Sequence, residues 1–383
     1  MKRLVLAGAG HAHALVLREL ARQPLRGVEI VVLSPEPCAP YSGMVPGWLA
    51  GLYRFDEIVV DFPPLAAAAG ARWLPGELHA LDPARRQLTL ADGGVLDYDL
   101  LSLNVGSTLV PPPTSHATML PLRPLSLLRT RVAALLAAWS LNESTEPFVV
   151  TAVGGGAAGV EGLLGLLQRL RAARPGRVVH GGLITRGTQL LPGLSAAARR
   201  AATRALDRAG VTLQLGGGWC EAVDLSSDVV VWATGAEAQA WQRDATRRGT
   251  LAVDDAGFVR IDEQLRSVSH PQVFAVGDCA SWPRYALPKA GVHAVRMGPT
   301  LAHNLRVALG AAGNFITHRP QHRFLALLST GDERAIASRG PFGAEGAWAW
   351  RWKDHIDRRF LRQFGGVTPP ASQALPPRTG DPA

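Results

Sequence analysis

Phe148-Val149-Val150-Thr151-Ala152-Val153-Gly154-Gly155-Gly156-Ala157-Ala158-Gly159-Val160-Glu161 is the stretch on which the fold turns. Its first six residues read as a buried strand, and the apolar run Leu163 to Leu170 beyond it continues a helix. Between them Gly154, Gly156 and Gly159 keep a spacing with a physical meaning. The first glycine permits a tight turn, the second lets the backbone approach a pyrophosphate, and the third packs helix against strand. The helix N-terminus then favours the negative charge.

A copy of the same unit opens the chain. Arg3 to Ala7 form a short apolar strand, Gly8-Ala9-Gly10 follows directly, and His11 through Leu20 has helical spacing. His13 replaces the third glycine, so helix and strand are expected to pack more loosely or to cross differently. His11 and His13 flank Ala12 like a metal pair, but residues two apart on a helix do not face each other, and no metal site is expected. Two such loops, each between a strand and a helix, are far more specific than either alone.

The strands that follow each loop carry the next signals. Glu29 to Leu33 ends at Ser34, where an acidic residue would normally hold an adenosine ribose; Glu36 either substitutes from the loop or is a solvated carboxylate. Val178 to Ile184 ends at Thr185-Arg186, again without a carboxylate, and Arg186 either accepts a 2′-phosphate or faces solvent. Leu100 to Val105 turns at Gly106-Ser107, and Asp228 to Ala233 turns at Thr234-Gly235, each closing one nucleotide unit. Val273 to Val276 then leads into Gly277-Asp278, a pattern suited to hydrogen-bonding a ribityl chain.

A chain of 383 residues has room for two domains and a short appendage. Its 47% apolar and 19% charged residues exclude a largely disordered protein. The net charge of +9 is carried almost wholly by arginine, since Lys2, Lys289 and Lys353 are the only lysines. Either a basic surface or dispersed arginines accounts for it, and no nucleic-acid partner is expected. Cys38, Cys220 and Cys279 are far apart and form no CxxC, which indicates neither a metal knuckle nor a local redox disulfide, and favours a reducing compartment. Gly8 and Gly10 interrupt the N-terminal apolar stretch below signal-peptide length, and no apolar run reaches the ~18 residues of a membrane span. A cytoplasmic protein is expected.

With these motifs in view, the chain resembles the pyridine nucleotide-disulfide oxidoreductase superfamily. It is most similar to the non-disulfide members such as type II NADH dehydrogenases and sulfide:quinone reductases. Gly8-Ala9-Gly10-His11-Ala12-His13, Pro40-Tyr41-Ser42-Gly43-Met44-Val45-Pro46-Gly47, Pro288-Lys289-Ala290-Gly291-Val292 and Lys353-Asp354-His355-Ile356-Asp357 look like the branch sometimes fused ahead of selenide, water dikinase. The resemblance implies an α/β fold of two Rossmann-like dinucleotide-binding domains, the nicotinamide domain (116–250) inserted into an FAD domain (1–115 and 251–330). A short C-terminal α+β region (331–367) and a flexible tail (368–383) complete it.

By the same resemblance FAD contacts Gly8, Gly10, His11, Ala12, Ser34, Glu36, Ser42, Gly43, Met44, Gly106, Ser107, Gly277, Asp278, Ala290, Gly291 and Val292. NADH or NADPH contacts Gly154, Gly155, Gly156, Ala157, Ala158, Gly159, Thr185, Arg186, Thr234 and Gly235. Glu161 stands where related enzymes place a glutamate near both rings, in a positioning role. Lys289 either stabilises charge developing at the flavin pyrimidine edge or is a surface lysine. The implied reaction passes a hydride from NAD(P)H to FAD and on to an acceptor, expected to be a quinone.

Two rival readings accompany it. A sulfur- or selenium-handling reductase would depend on Cys38, while a flavin-binding partner or sensor with little turnover is encouraged by His13 and Ser34. Residues 347–364 form a basic amphipathic segment: Trp348, Trp350 and Trp352, then Ile356, Phe360, Leu361 and Phe364 beside Arg358, Arg359 and Arg362. It either lies in a membrane interface, making the protein peripheral on the inner face, or packs on the FAD domain.

Overall fold

The computed structural model describes residues 1–285, 287–321 and 324–365, so the tail expected at 368–383 lies outside the described residues. Strand β1 (Lys2–Ala7) is followed by helix α1 (His11–Arg22), then β2 (Val28–Ser34), β3 (Arg72–Pro75) and β4 (Leu100–Leu103). These strands are parallel, and their unbroken apolar runs fit a sheet covered on both faces. The chain then leaves to build a second parallel sheet from β5 (Thr118–Pro121), β6 (Phe148–Val153), α2 (Ala157–Ala173), β7 (Val179–Thr185), α3 (Ala196–Arg208), β8 (Val211–Leu215) and β9 (Val229–Trp232). Only afterwards does β10 (Val273–Ala275) return to pair with β4.

The first sheet runs β10-β4-β1-β2-β3 and the second β5-β9-β6-β7-β8. In each, the strand before the glycine loop is central. The next two strands lie on one side, and the other side holds β4 and β10 in the first sheet and β9 with the earlier β5 in the second, so both glycine loops open at a topological switch point on the carboxyl edge. The second sheet is therefore encoded entirely between two neighbouring strands of the first.

Helix α4 (Gly291–Ala308) packs along α1, with Gly298 facing Leu15 so closely that an added Cβ would sit 2.6 Å from it. An antiparallel meander of β11 (Ala326–Ser329), β12 (Ala335–Arg339) and β13 (Phe342–Gly346) leads into α5 (Ala347–Leu361). The meander is tied to the second unit by Glu345, whose side chain is 5% exposed and receives Arg208 of α3. Ala349, Lys353, Asp357 and Phe360 recur at helical spacing and form the inward face of α5. Trp348, Trp352 and Ile356 remain 50%, 43% and 38% exposed on the opposite face. Among the described residues no helix is long and apolar enough to cross a membrane.

Candidate functional site

A single cleft of about 1610 Å³ joins the two units, well above the ~300–1,000 Å³ of ordinary ligand pockets. One wall is built on the first sheet: Gly8, Gly10 and His11, with Ser34 and Glu36 beyond them, then Gly106, Ser107 and Asp278. Ser42 and Gly43, with Lys289, Ala290, Gly291 and Val292, line the middle. Gly156, Ala157, Ala158, Glu161 and Gly235 come from the second unit. Residues far apart in sequence are thus gathered at the carboxyl edges of both sheets.

Other residues expected at the site lie off this wall. Met44 is fully buried in the core beneath the second sheet and is not among the residues that line the cleft. Ala12 is likewise fully buried, in the first turn of α1. Gly277 sits against the Asn104 side chain, and Gly154, Gly155 and Gly159 shape the second loop from behind. Thr185, Arg186 and Thr234 stand outside the enclosed cleft, with Arg186 exposed.

The geometry of both loops follows from backbone sterics. At Gly154, where φ is +126°, an added Cβ would lie 2.3 Å from the Ala233 carbonyl oxygen; at Gly159 it would lie 1.9 Å from that of Gly154. The N-terminus of α2 begins at Gly156 with no side-chain cap, leaving backbone N–H groups directed at the cleft. In the first loop an added Cβ at Gly8 would meet the Asn104 carbonyl oxygen at 2.4 Å.

The looser packing expected at His13 is not found. Its imidazole is fully buried and fills the space, with Nδ1 2.7 Å from the Gly8 carbonyl oxygen and Nε2 2.8 Å from Ser102 Oγ. A carbonyl only accepts, so Nδ1 donates and Nε2 accepts from the serine hydroxyl. Burial lowers the His13 pKa to about 4, which keeps this neutral form at physiological pH. Asn104 completes the arrangement: Oδ1 accepts from the N–H groups of Ala12 and His13 at 3.2 and 3.4 Å, and Nδ2 donates to the Val276 carbonyl. His11, on the other side of the helix start, faces the cleft and accepts from the Ser42 N–H at 3.3 Å.

Arg123, Phe258 and Trp73 join the site although none of them was expected there. Arg123 forms an ion pair with Asp278, and its other guanidinium nitrogen donates to the Lys289 carbonyl at 2.9 Å. The Lys289 ammonium turns onto the Ala280 carbonyl and the Phe258 ring, 3.7 Å from its centroid. Ser34 Oγ donates to the Glu36 carbonyl at 2.6 Å and accepts from Trp73.

At the centre of the cleft, Lys353 Nζ donates to the Gly43 carbonyl and pairs with Asp357 Oδ2 at 2.6 Å. Both side chains are buried. Glu161 Oε1 accepts from the Ser329 N–H at 2.7 Å. Burial raises the Glu161 pKa to about 7, against the opposing influence of Lys353 and the Ser329 bond. Burial, and then Asp357, push the Tyr41 phenol up. Tyr41 stacks on Phe360 at 4.5 Å. The Lys353-Asp354-His355-Ile356-Asp357 run drew notice only for its resemblance, although lysine and aspartate four apart on a helix could have been read as a pair.

Of the three cysteines, Cys38 alone lines the cleft. Burial and the Asp61 carboxylate raise its thiol pKa, which disfavours the thiolate. Cys279 is fully buried and pushed up to about 11, chiefly by burial, and Cys220 is exposed away from the cleft.

Known proteins agree with this architecture. The family model for pyridine nucleotide-disulphide oxidoreductases matches residues 2–304. An NADH dehydrogenase-like protein of Mycobacterium tuberculosis (strain CDC 1551 / Oshkosh) is 25% identical over 323 residues, covering 73% of each chain. Ferroptosis suppressor protein 1 of Taeniopygia guttata is 26% identical over 249 residues, covering 59% of this chain and 61% of the finch protein. Among solved structures, the sulfide:quinone oxidoreductase of Aquifex aeolicus superposes with a TM-score of 0.75 at 18% identity, covering 96% of this chain and 93% of its own. NDH2 from Plasmodium falciparum, in complex with NADH, gives 0.73 at 12% identity, covering 95% and 99%. The chain belongs to the pyridine nucleotide-disulphide oxidoreductase family, as a flavin- and NAD(P)H-dependent oxidoreductase.

Proposed function

We propose that the protein oxidises NAD(P)H at the second glycine loop and delivers the electrons, through FAD held along the first, to a quinone. The observation that carries this is one continuous cleft from Gly8 to Gly156 with Glu161, Lys353 and Asp357 at its middle. FAD fits that path: Gly8, Gly10 and His11 line it at the start of α1, and Ser107, Asp278, Ser42 and Gly43 line the stretch beyond. When bound, FAD supplies the two-electron hydride chemistry between nicotinamide and acceptor.

The protein's own residues do the rest. The uncapped α2 N-terminus receives the nicotinamide pyrophosphate. Lys353, fixed by Asp357 and Gly43, holds a positive charge where negative charge develops during transfer. Glu161, with one oxygen fixed by Ser329, holds a proton at the other near neutral pH. That proton can go to a reduced acceptor oxygen.

A quinone is favoured over a sulfur acceptor by the thiols. Cys38 is the one cysteine of the described residues on the wall, its pKa is raised, and no second cysteine stands beside it. The mouth of the cleft carries Trp352 and Ile356, a surface suited to an apolar acceptor and to the membrane in which it dissolves. The test is anaerobic stopped-flow reduction of the yellow protein by NADH and NADPH, followed by a soluble ubiquinone or menaquinone analogue. Rapid bleaching and rapid recovery with quinone are expected. Absence of bleaching by either nucleotide would sink the proposal.

A further inference from the structure

NADH and NADPH present the same nicotinamide and differ by one phosphate on the adenosine 2′ position. We infer that this chain is built for the 2′-phosphorylated form, with Arg186 as the residue that reads the phosphate. The inference rests on the second glycine loop being the nicotinamide-nucleotide site.

A free ribose hydroxyl at this position is ordinarily held by a carboxylate at the end of the second strand. Here β7 ends at Thr185, whose hydroxyl accepts the Gly187 N–H at 3.3 Å. Arg186 follows, exposed, and among the described residues no carboxylate lies within ion-pair distance of it. No carboxylate at the end of β7 is therefore in place to repel a phosphate, and a guanidinium is. Its planar fork matches phosphate oxygens in pairs.

The backbone that carries Arg186 is fixed on both sides. An added Cβ at Gly155 would lie 2.9 Å from Thr185 Cγ2, so the glycine loop touches the strand end directly. This sets Arg186 one residue beyond that contact, beside the helix start that receives the pyrophosphate. The Gly187 carbonyl accepts from the Gly216 N–H at 3.2 Å, joining the turn to the end of β8. At Gly218 an added Cβ would lie 3.2 Å from Arg186 Cγ, so the arginine stem lies against a residue with no side chain. The run Gly216-Gly217-Gly218 leaves room for that stem.

Two readouts test this on the flavin-loaded protein. Calorimetry compares adenosine 2′,5′-bisphosphate with 5′-AMP, and stopped-flow compares bleaching by NADPH with bleaching by NADH. The bisphosphate is expected to bind on the order of tenfold to a hundredfold more tightly, the range of one or two charge-assisted bonds. That advantage shrinks as salt rises, because the guanidinium is exposed. Arg186→Ala should collapse the preference in both assays, acting on the NADPH KM more than on kcat, and Arg186→Lys should restore part of it.

Equal binding of the two adenosine nucleotides, or an unaltered NADPH:NADH ratio in Arg186→Ala, overturns the inference. Faster bleaching by NADH than by NADPH overturns it too, while leaving hydride transfer intact. Failure of both nucleotides to bleach the flavin removes the hydride-transfer reading and this inference together.

Discussion

In the proposed reaction Glu161 is the titrating residue on which proton delivery depends. Its carboxyl releases its proton near 4.5 in an unstructured chain and near 7 in the fold, because burial penalises the charged form. Between those values Glu161 binds more protons in the native state than in the unfolded one, so its contribution to stability falls as pH rises from about 4.5 to about 7, while the buried His11 and His13, lowered from 6.5 to about 4, contribute a slope of the opposite sign. Glu161→Gln, neutral throughout, should lose the Glu161 component alone, so the stability of wild type relative to the variant should be lower at pH 8 than at pH 5, as chemical denaturation of both at the two pH values would reveal. The step that re-oxidises the flavin with quinone should fall in wild type as pH rises through about 7 and lose that inflection in Glu161→Gln, slowing about 10²–10⁴-fold where proton delivery limits it. An inflection that survives the substitution would remove Glu161 as the proton source. Its position was legible because it follows a recognisable glycine loop by two residues. The partners Lys353 and Ser329 were not, since only folding brings them there. His13 shows the same limit: its replacement of a glycine is visible in the sequence, whereas its fit against Gly8 and Ser102 depends on strands nearly a hundred residues apart.

Helix α5 is held by more than its apolar face. Tyr53 donates to Asp354 at 2.6 Å, its ring stacks on Trp350 at 5.7 Å, and Lys353 ties the inward face to the Gly43 carbonyl. Lys353→Ala would leave Asp357 buried without its partner, at a cost of about 3–5 kcal/mol. Urea unfolding should register that loss, and the pair Lys353→Met with Asp357→Leu should recover most of it, since apolar replacement of a buried ion pair is often neutral. A loss below about 1 kcal/mol in the single variant would mean that water reaches Asp357. The sequence disclosed α5 as a basic amphipathic helix because aromatic and charged residues alternate at helical spacing. It left open which face turns inward, because tryptophans lie on both faces and an i, i+4 ion pair reads as surface decoration. Strands such as Phe148–Val153 were legible in full, as local apolar runs bounded by glycine.

The whole molecule concentrates exposed aromatic and basic groups beside the opening of its cleft. Trp348, Trp352 and Ile356 form one stripe, with Arg351, Arg359 and Arg362 exposed among them, on a chain of net charge +9. Tryptophan and arginine together suit the headgroup layer of an anionic bilayer, and no membrane span is needed for that attachment. A quinone with a long isoprenoid tail would then reach the cleft without entering water. Co-sedimentation with vesicles of phosphatidylcholine and phosphatidylglycerol should detect the full-length protein on the membrane, more at low salt than at high. Trp348→Ser with Trp352→Ser should weaken that partition by roughly tenfold or more, from the apolar area withdrawn. The same variant should lose turnover with a membrane-dissolved quinone while keeping its rate of flavin bleaching by NAD(P)H, because neither tryptophan belongs to the second glycine loop. Wild-type protein that stays in solution with vesicles at every salt concentration would instead assign the stripe to another protein surface and make a water-soluble acceptor the better candidate.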